Sequence, residues 1–157
     1  LIRWLTLILG QFIEERGLGE LTINKVAYRL TDRTAPEPDL GFVATWRIDH
    51  IKPGYVDGPP DLAVEIVSPD SVERDYEDKR RRYEAAGVVE YWIIDPAERS
   101  ATFFVRGQAG FEEQFLQESI FRSRVLPGLE LDVRWLWQDP LPPTRPIVQR
   151  MLHREEA

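Results

Sequence analysis

The run Asp-Leu-Ala-Val-Glu-Ile-Val over residues 61–67, bracketed by Pro60 and Pro69, constrains the fold more than any other segment. Side chains alternate along a strand, so Leu62, Val64 and Ile66 share one face and Asp61, Ala63, Glu65 and Val67 the other. Apart from the two acids both faces are apolar, which predicts a central strand covered on both sides. Ser68-Pro69-Asp70-Ser71 ends it. Asp70 and Glu73 have capping-box spacing for a helix that runs to about Ala86, with Gly87 as its stop. Val88–Asp95 is a second apolar strand, and the strand–helix–strand spacing favours parallel pairing through a right-handed crossover.

The flanks supply the remaining elements. Leu5, Leu7, Ile8, Phe12 and Ile13 fall near helical spacing over Leu1–Gly17. Leu21–Arg29 and Asp39–Trp46 read as strands, and the turn formers Lys52-Pro-Gly and Asp57-Gly-Pro-Pro lead into the central run. Ala101–Arg106 and Phe111–Leu116 form a hairpin around Gly107–Gly110. A last strand and a short helical turn through Trp135 and Trp137 precede a Pro-rich, charged tail at 140–157. The expectation is one α/β domain over residues 1–157. It holds a mixed sheet with a central parallel βαβ unit, flanking helices and a β-hairpin extension. The chain begins with Leu rather than Met, so an N-terminal piece is expected to precede this numbering.

Composition removes several classes of function. There is no cysteine, hence no disulfide, thiolate metal site or cysteine nucleophile. No apolar run approaches the roughly 20 residues of a membrane helix, and Arg3 interrupts Leu1–Leu9, so no membrane partner and a cytoplasmic location are expected. His50 and His153 are the two histidines, too few for a zinc site. No Gly-rich phosphate loop or nucleophile elbow is present. Trp46, Trp92, Trp135 and Trp137 read as core or interface packing rather than base-stacking platforms. The net charge of −7 opposes nucleic-acid binding, which draws its affinity from Lys and Arg. Yet Arg74, Lys79, Arg80, Arg81 and Arg82 crowd one helix, a basic strip on an acidic body.

The acids carry the chemistry. Asp39 stands at the start of one strand and Glu65 in the middle of another. If those strands are neighbours, both carboxylates reach one ion, with the Ile66 carbonyl as a third oxygen. Two carboxylates about 4 Å apart at an effective dielectric near 20 repel by ~4 kcal/mol, so either a proton or a cation must sit between them. Asp75, Lys79 and Tyr83 lie at i, i+4 and i+8, one stripe of the helix that follows the Glu65 strand. Packed back over that strand, the helix brings the Lys79 ammonium to the acids. The plain alternatives are a turn role for Asp39, a strand-start cap for Asp61, an i,i+4 pair for Asp75 and packing for Tyr83.

The combination of Pro38-Asp39, Pro60-Asp-Leu-Ala-Val-Glu-Ile-Val-Ser-Pro69, Asp75, Lys79, Tyr83 and the Gly87–Pro96 strand resembles the Uma-type restriction endonuclease family of the PD-(D/E)xK nuclease superfamily. The resemblance implies a restriction-endonuclease-like core, Mg²⁺ or Mn²⁺ as cofactor, and DNA as substrate. It implies Asp39 and Glu65 as catalytic metal ligands and Lys79 as the catalytic lysine, with Asp61, Asp75 and Tyr83 in support. Arg74, Arg80, Arg81 and Arg82 would follow the nucleic-acid backbone. The motif lysine expected two residues after Glu65 is Val67 here, so its role passes to Lys79 on the helix. Cutting both strands normally takes two sites, which favours a homodimer. The rival expectation is an inactive nuclease-like fold that binds nucleic acid or a protein.

Overall fold

The computed structural model describes residues 1–71 and 74–153, with the side chain of Arg74 outside the description. In chain order its helices and strands are α1 (Ile2–Arg16), β1 (Gly19–Ile23), β2 (Ala27–Arg29), β3 (Leu40–Ala44), β4 (Ile51–Lys52) and β5 (Tyr55–Asp57). They continue with β6 (Leu62–Ile66), α2 (Arg80–Ala86), β7 (Glu90–Asp95), β8 (Ser100–Arg106), β9 (Phe111–Glu113), β10 (Ile120–Arg122), β11 (Glu130–Asp132) and α3 (Thr144–His153). The main sheet has the order β1-β3-β6-β7-β8-β9. Only the β6–β7 pair is parallel; the others in this sheet are antiparallel. The expected central βαβ unit and hairpin extension are both present, and the fold is mixed α/β.

Alternation along β6 divides the core. Leu62, Val64, Trp92 and Ile94 face α1 and α3, where Leu5, Ile8, Leu9, Phe12, Val148 and Met151 are buried. Ala63, Val67, Tyr91 and Ile93 face the other way, onto Tyr83 of α2. Helices therefore cover both faces, as near-continuous apolarity requires. On the α1 side, Trp92 meets Phe103 and Phe121 edge-on at 5.5 and 5.3 Å, and those two rings stack at 4.0 Å. Such pairs add roughly 0.5–1.5 kcal/mol each beyond their buried area.

Several elements differ from expectation. The segment Leu21–Arg29 is two strands, parted where Asn24 and Lys25 take left-handed backbone at φ 61° and 57°. The strand expected at Asp39–Trp46 ends at Ala44 and turns into a 3-10 helix over Thr45–His50. That leaves Trp46 78% exposed, not in the core. The helix expected from Asp70 to Ala86 starts as a π-helical turn, Arg74–Lys79, before becoming α2. Glu73 of the expected capping box lies outside the described residues. The tail is not irregular throughout: α3 buries Ile147, Val148 and Met151, and His153 belongs to that helix. A small sheet, β2-β5-β4, stands beside β3. The Tyr28 hydroxyl shares a 2.7 Å hydrogen bond with Thr22 Oγ1, and a Cβ at Gly41 would lie 2.3 Å from the Tyr28 oxygen. Only glycine fits there.

Glu90 is fully buried at the start of β7 and pins the sheet to a loop more than thirty residues on. Its Oε2 accepts from Trp92 Nε1 at 3.1 Å and Ser123 Oγ at 3.0 Å; its Oε1 accepts from the Val125 amide at 3.1 Å and from the Arg124 amide. Burial pushes its carboxyl above the usual range against the pull of these donors. Glu90→Ala orphans all four donors, each worth about 1–3 kcal/mol when left buried and unpaired. The expected loss is about 3 kcal/mol or more, seen as a fall of roughly 1 M or more in the urea midpoint. An unchanged midpoint contradicts this role.

Candidate active site

Strand register brings the two acids together. Leu40 opposes Val64 and Gly41 opposes Ala63, so the next pair is Asp39 and Glu65. Directly opposed residues share a face, with Cβ atoms about 4.5–5.5 Å apart. The Ile66 amide donates to Asp39 Oδ2 at 2.8 Å. The carboxylate thus completes the ladder where the β3 backbone ends, and this bond fixes one Asp39 oxygen beside the end of β6.

The helix delivers the cation. Lys79 Nζ lies 2.9 Å from Glu65 Oε2 and 3.0 Å from Asp75 Oδ1. Its side chain is 17% exposed, so it is not part of a solvated charged face. The Tyr83 hydroxyl donates to Glu65 Oε1 at 3.1 Å. Asp39, Glu65, Asp75, Lys79 and Tyr83 therefore form one cluster, and the π-helical turn sets its register. The i,i+4 relation of Asp75 and Lys79 is present, but buried and shared with Glu65 instead of standing alone on the surface.

Sequence reading passed over Tyr91, whose hydroxyl donates 2.7 Å to the backbone carbonyl of Asp75. Its ring meets Tyr83 edge-on at 5.0 Å. This bond ties the π-helical turn to β7. Strand alternation held the signal, since Tyr91 pairs with Ala63 and so shares the face of Glu65. At the far end of α2, Arg106 donates to the carbonyls of Glu84 and Val88, and Glu84 Oε1 accepts from the Phe111 amide at 2.6 Å. The hairpin β8–β9 thereby holds the helix that carries Tyr83.

Other expected site residues lie elsewhere. Asp61 accepts from Arg47 Nη1 at 3.1 Å and from the Ala44 amide at 2.8 Å, while Arg47 Nη2 also donates to Pro59 O. Asp61 lies four positions before Glu65 along the strand, about 13 Å. Its two oxygens brace the start of β6, which accounts for the acid at that position. The Arg80 guanidinium lies over the Phe104 ring at 5.0 Å, and Arg81 pairs with Glu77 at 3.1 Å. Arg82 is exposed. The basic strip is thus partly spent within the fold.

Electrostatics single out Glu65. Burial raises its carboxyl to about 7; Lys79 opposes the rise, and Asp75 and Asp39 add to it. For Lys79, burial works to lower the pKa, but the Glu65 and Asp75 carboxylates outweigh it and hold the ammonium above its usual range. Glu65 therefore titrates near neutrality beside a charged ammonium. Tyr83 and Tyr91 are both driven upward by burial and then by Glu65, so they act as hydroxyl donors, not phenolates.

Glu65 also sets a pH dependence of stability. Its folded pKa is raised, so between about pH 4.5 and 7 the folded state holds more protons than the unfolded one. Stability from this group is present below that window and is lost as pH rises through it. The size is roughly 3 kcal/mol. Urea unfolding between pH 5 and 7.5 is expected to show this decline, and Glu65→Gln to flatten it. A rising curve contradicts the assignment.

Two carboxylates, Glu65 and Asp75, share the one Lys79 ammonium, and every donor at Asp39 and Glu65 is a hard oxygen. Among the described residues no group of three or more His, Asp or Glu side chains is placed to hold a metal ion. Two carboxylates and a backbone carbonyl suit a hydrated Mg²⁺ or Mn²⁺, which keeps several of its waters. The residues present fit such an ion.

Comparison with known proteins bears on the fold and the family. No helix among the described residues is long and apolar enough to cross a membrane. No curated protein matches the chain. A crystal structure from Anabaena variabilis, described as "a putative nuclease belonging to DUF820", superposes with a TM-score of 0.66 at 17% identity. The match covers 83% of this chain and 74% of that one, and supports the restriction-endonuclease-like fold. The Uma2 family model, described as "Putative restriction endonuclease", matches residues 1–134, and the chain belongs to that family.

Proposed function

We propose that the protein is a metal-dependent nuclease that hydrolyses DNA phosphodiester bonds at the Asp39–Glu65–Lys79 cluster. One observation carries the reading: Lys79, delivered by a π-helical turn, lies 2.9 Å from Glu65 although the strand itself has Val67 at the motif position. A long side chain crossing from another element to meet a buried carboxylate supports a site under functional constraint, and π-helical turns are frequent at such sites.

Asp39 and Glu65, with the Ile66 carbonyl, would hold the ion. A bound divalent ion supplies polarisation of the phosphoryl oxygen and lowers the pKa of an attacking water. Glu65, whose carboxyl burial raises to about 7, would hold the ion in its ionised form. Tyr83 keeps one Glu65 oxygen fixed. Lys79 donates to the attacking water or to the charge that grows on the phosphoryl oxygens, a point-charge role that suits an ammonium. Asp75 aims Lys79 and keeps it protonated. Cutting both strands takes two such sites, so a pair of copies is part of the proposal.

Supercoiled plasmid, single-stranded DNA and RNA incubated with Mg²⁺ or Mn²⁺ test it, with a chelator as control. Metal-dependent nicking or linearisation of DNA is expected; intact DNA under every metal condition contradicts it. A second reading, an inert nuclease-like fold that binds nucleic acid or protein, is favoured by the closure of Lys79 onto Glu65 and Asp75. It requires that Mn²⁺ does not bind.

A further inference from the structure

Tyr91 reaches the site through the backbone of Asp75, and packing does not account for its hydroxyl. The ring is fully buried on β7, with Tyr83 edge-on at 5.0 Å and Phe104 and Phe111 stacked at 6.4 and 6.3 Å. A phenylalanine would fill that space equally well. What the hydroxyl adds is one buried hydrogen bond, 2.7 Å to the Asp75 carbonyl. That carbonyl lies inside the π-helical turn Arg74–Lys79, just before α2. In an α-helix it would face the amide of Lys79; in a π-helix the ladder runs one residue further, to Arg80. A side chain that inserts at the ladder is a known cause of distorted helix geometry. Tyr91 stands where this helix departs from α.

The consequence runs through three contacts. Asp75 is 1% exposed, and its Oδ1 meets Lys79 Nζ at 3.0 Å; the same ammonium meets Glu65 Oε2 at 2.9 Å. α2 is held independently, by Tyr83 on Glu65 and by Arg106 on the Glu84 carbonyl. Closing the turn from π to α alters the angle about the helix axis between Asp75 and the anchored Tyr83. The Asp75 carboxylate then leaves the place where it now meets the ammonium. A lysine side chain is long and rotatable, and with one acceptor instead of two it is no longer held in a single position. We propose that Tyr91 is a positioning residue of this site: its hydroxyl keeps the turn in π-helical register, and the Asp75 carboxylate so placed holds Lys79 against Glu65. Tyr91 acts through Asp75 and takes no direct part in the chemistry. The proposal rests on the nuclease reading for its effect on rate, while its structural step is read without cleavage.

Tyr91→Phe, which keeps the ring and deletes the hydroxyl, tests it on the intact chain. Amide hydrogen exchange is expected to quicken by about fivefold or more within Arg74–Lys79, the effect of one ordinary hydrogen bond, with β7 and β8 unchanged. NMR of the lysine ammonium groups is expected to show a Lys79 signal in wild type that Tyr91→Phe loses through exchange with water. In Mn²⁺-dependent cleavage, kcat is expected to fall roughly tenfold to a hundredfold with KM for DNA unchanged. Added to Lys79→Met, the same change is expected to lower kcat no further, since its effect passes through the lysine. Unchanged exchange in the turn, or a Lys79 signal that persists, overturns the proposal. So does a loss carried by KM, or one that adds in full to that of Lys79→Met. Exchange that quickens equally over β7 and β8, or a variant that unfolds, also overturns it, because the hydroxyl then supports the whole fold. Any of these results beside normal cleavage by wild type sinks this inference alone. No cleavage by wild type under any metal, with the exchange and ammonium results as expected, sinks the nuclease reading and leaves the hold of Tyr91 on Lys79 standing.

Discussion

Glu65→Gln is expected to reduce DNA cleavage by at least about a thousandfold while leaving the chain folded. The amide keeps the shape of the carboxylate and its contact with the Tyr83 hydroxyl. It removes the negative charge that Asp39 needs as a partner in holding a divalent ion. The side chain is 3% exposed and Lys79 stands 2.9 Å away, so no water replaces the lost charge. Loss of a buried carboxylate that titrates near 7 stabilises the metal-free protein at neutral pH, since its ionised form is the costly one. A variant that is more resistant to urea at pH 7.5 and yet inactive separates a functional acid from a structural one. Full cleavage by Glu65→Gln, measured as plasmid nicking under Mn²⁺, contradicts the account.

Lys79→Met is expected to lower cleavage by about a hundredfold to a thousandfold with metal binding retained or tightened. Methionine preserves the apolar stem and deletes the ammonium. Glu65 and Asp75 then face each other without a cation, and Glu65 loses the neighbour that pulls its pKa down. Its carboxyl moves further up, so the metal-free variant holds a proton on Glu65 to higher pH. Metal uptake releases that proton, and the apparent affinity at pH 8 exceeds that at pH 6 by more than in wild type. Lys79→Arg restores the charge but not the compact geometry and recovers only part of the rate. If Lys79→Met cuts as fast as wild type at saturating Mn²⁺, the lysine has no part in the chemistry.

The central βαβ unit was legible because its physics is local. Two-faced apolarity over residues 62–67 calls for a buried strand whatever the rest of the chain does, and Glu65 within it calls for a partner. Asp39 was legible as an acid, and its alignment opposite Glu65 followed only from strand register. Lys79 was reached by helical spacing and by family resemblance. The π-helical turn that sets its position has no signature in residue types, and the Tyr91 bond that pins it crosses sixteen residues.

Long-range pairing explains the other differences. Asp61 looked like a site acid because Arg47, its partner, lies fourteen residues upstream on a 3-10 helix that reads as the end of a strand. Residue types do not mark Glu90 as an anchor, since its four donors include backbone amides that no sequence pattern reveals. α3 was hidden by the prolines before it: Pro140, Pro142 and Pro143 read as an irregular tail, while Ile147, Val148 and Met151 pack beside α1. Trp46 was assigned to packing by residue type alone, and the turn into the 3-10 helix carries it outward.

Calorimetric titration of Mn²⁺ into the purified protein, in two buffers of different ionisation heat and with Glu65→Gln as control, tests the central claim most directly. Wild type is expected to take up the ion at a site that releases up to one proton near pH 7, and the variant to take up none there. Silent titrations for both proteins, or equal binding by both, would show that the acids opposed across β3 and β6 serve only to balance Lys79.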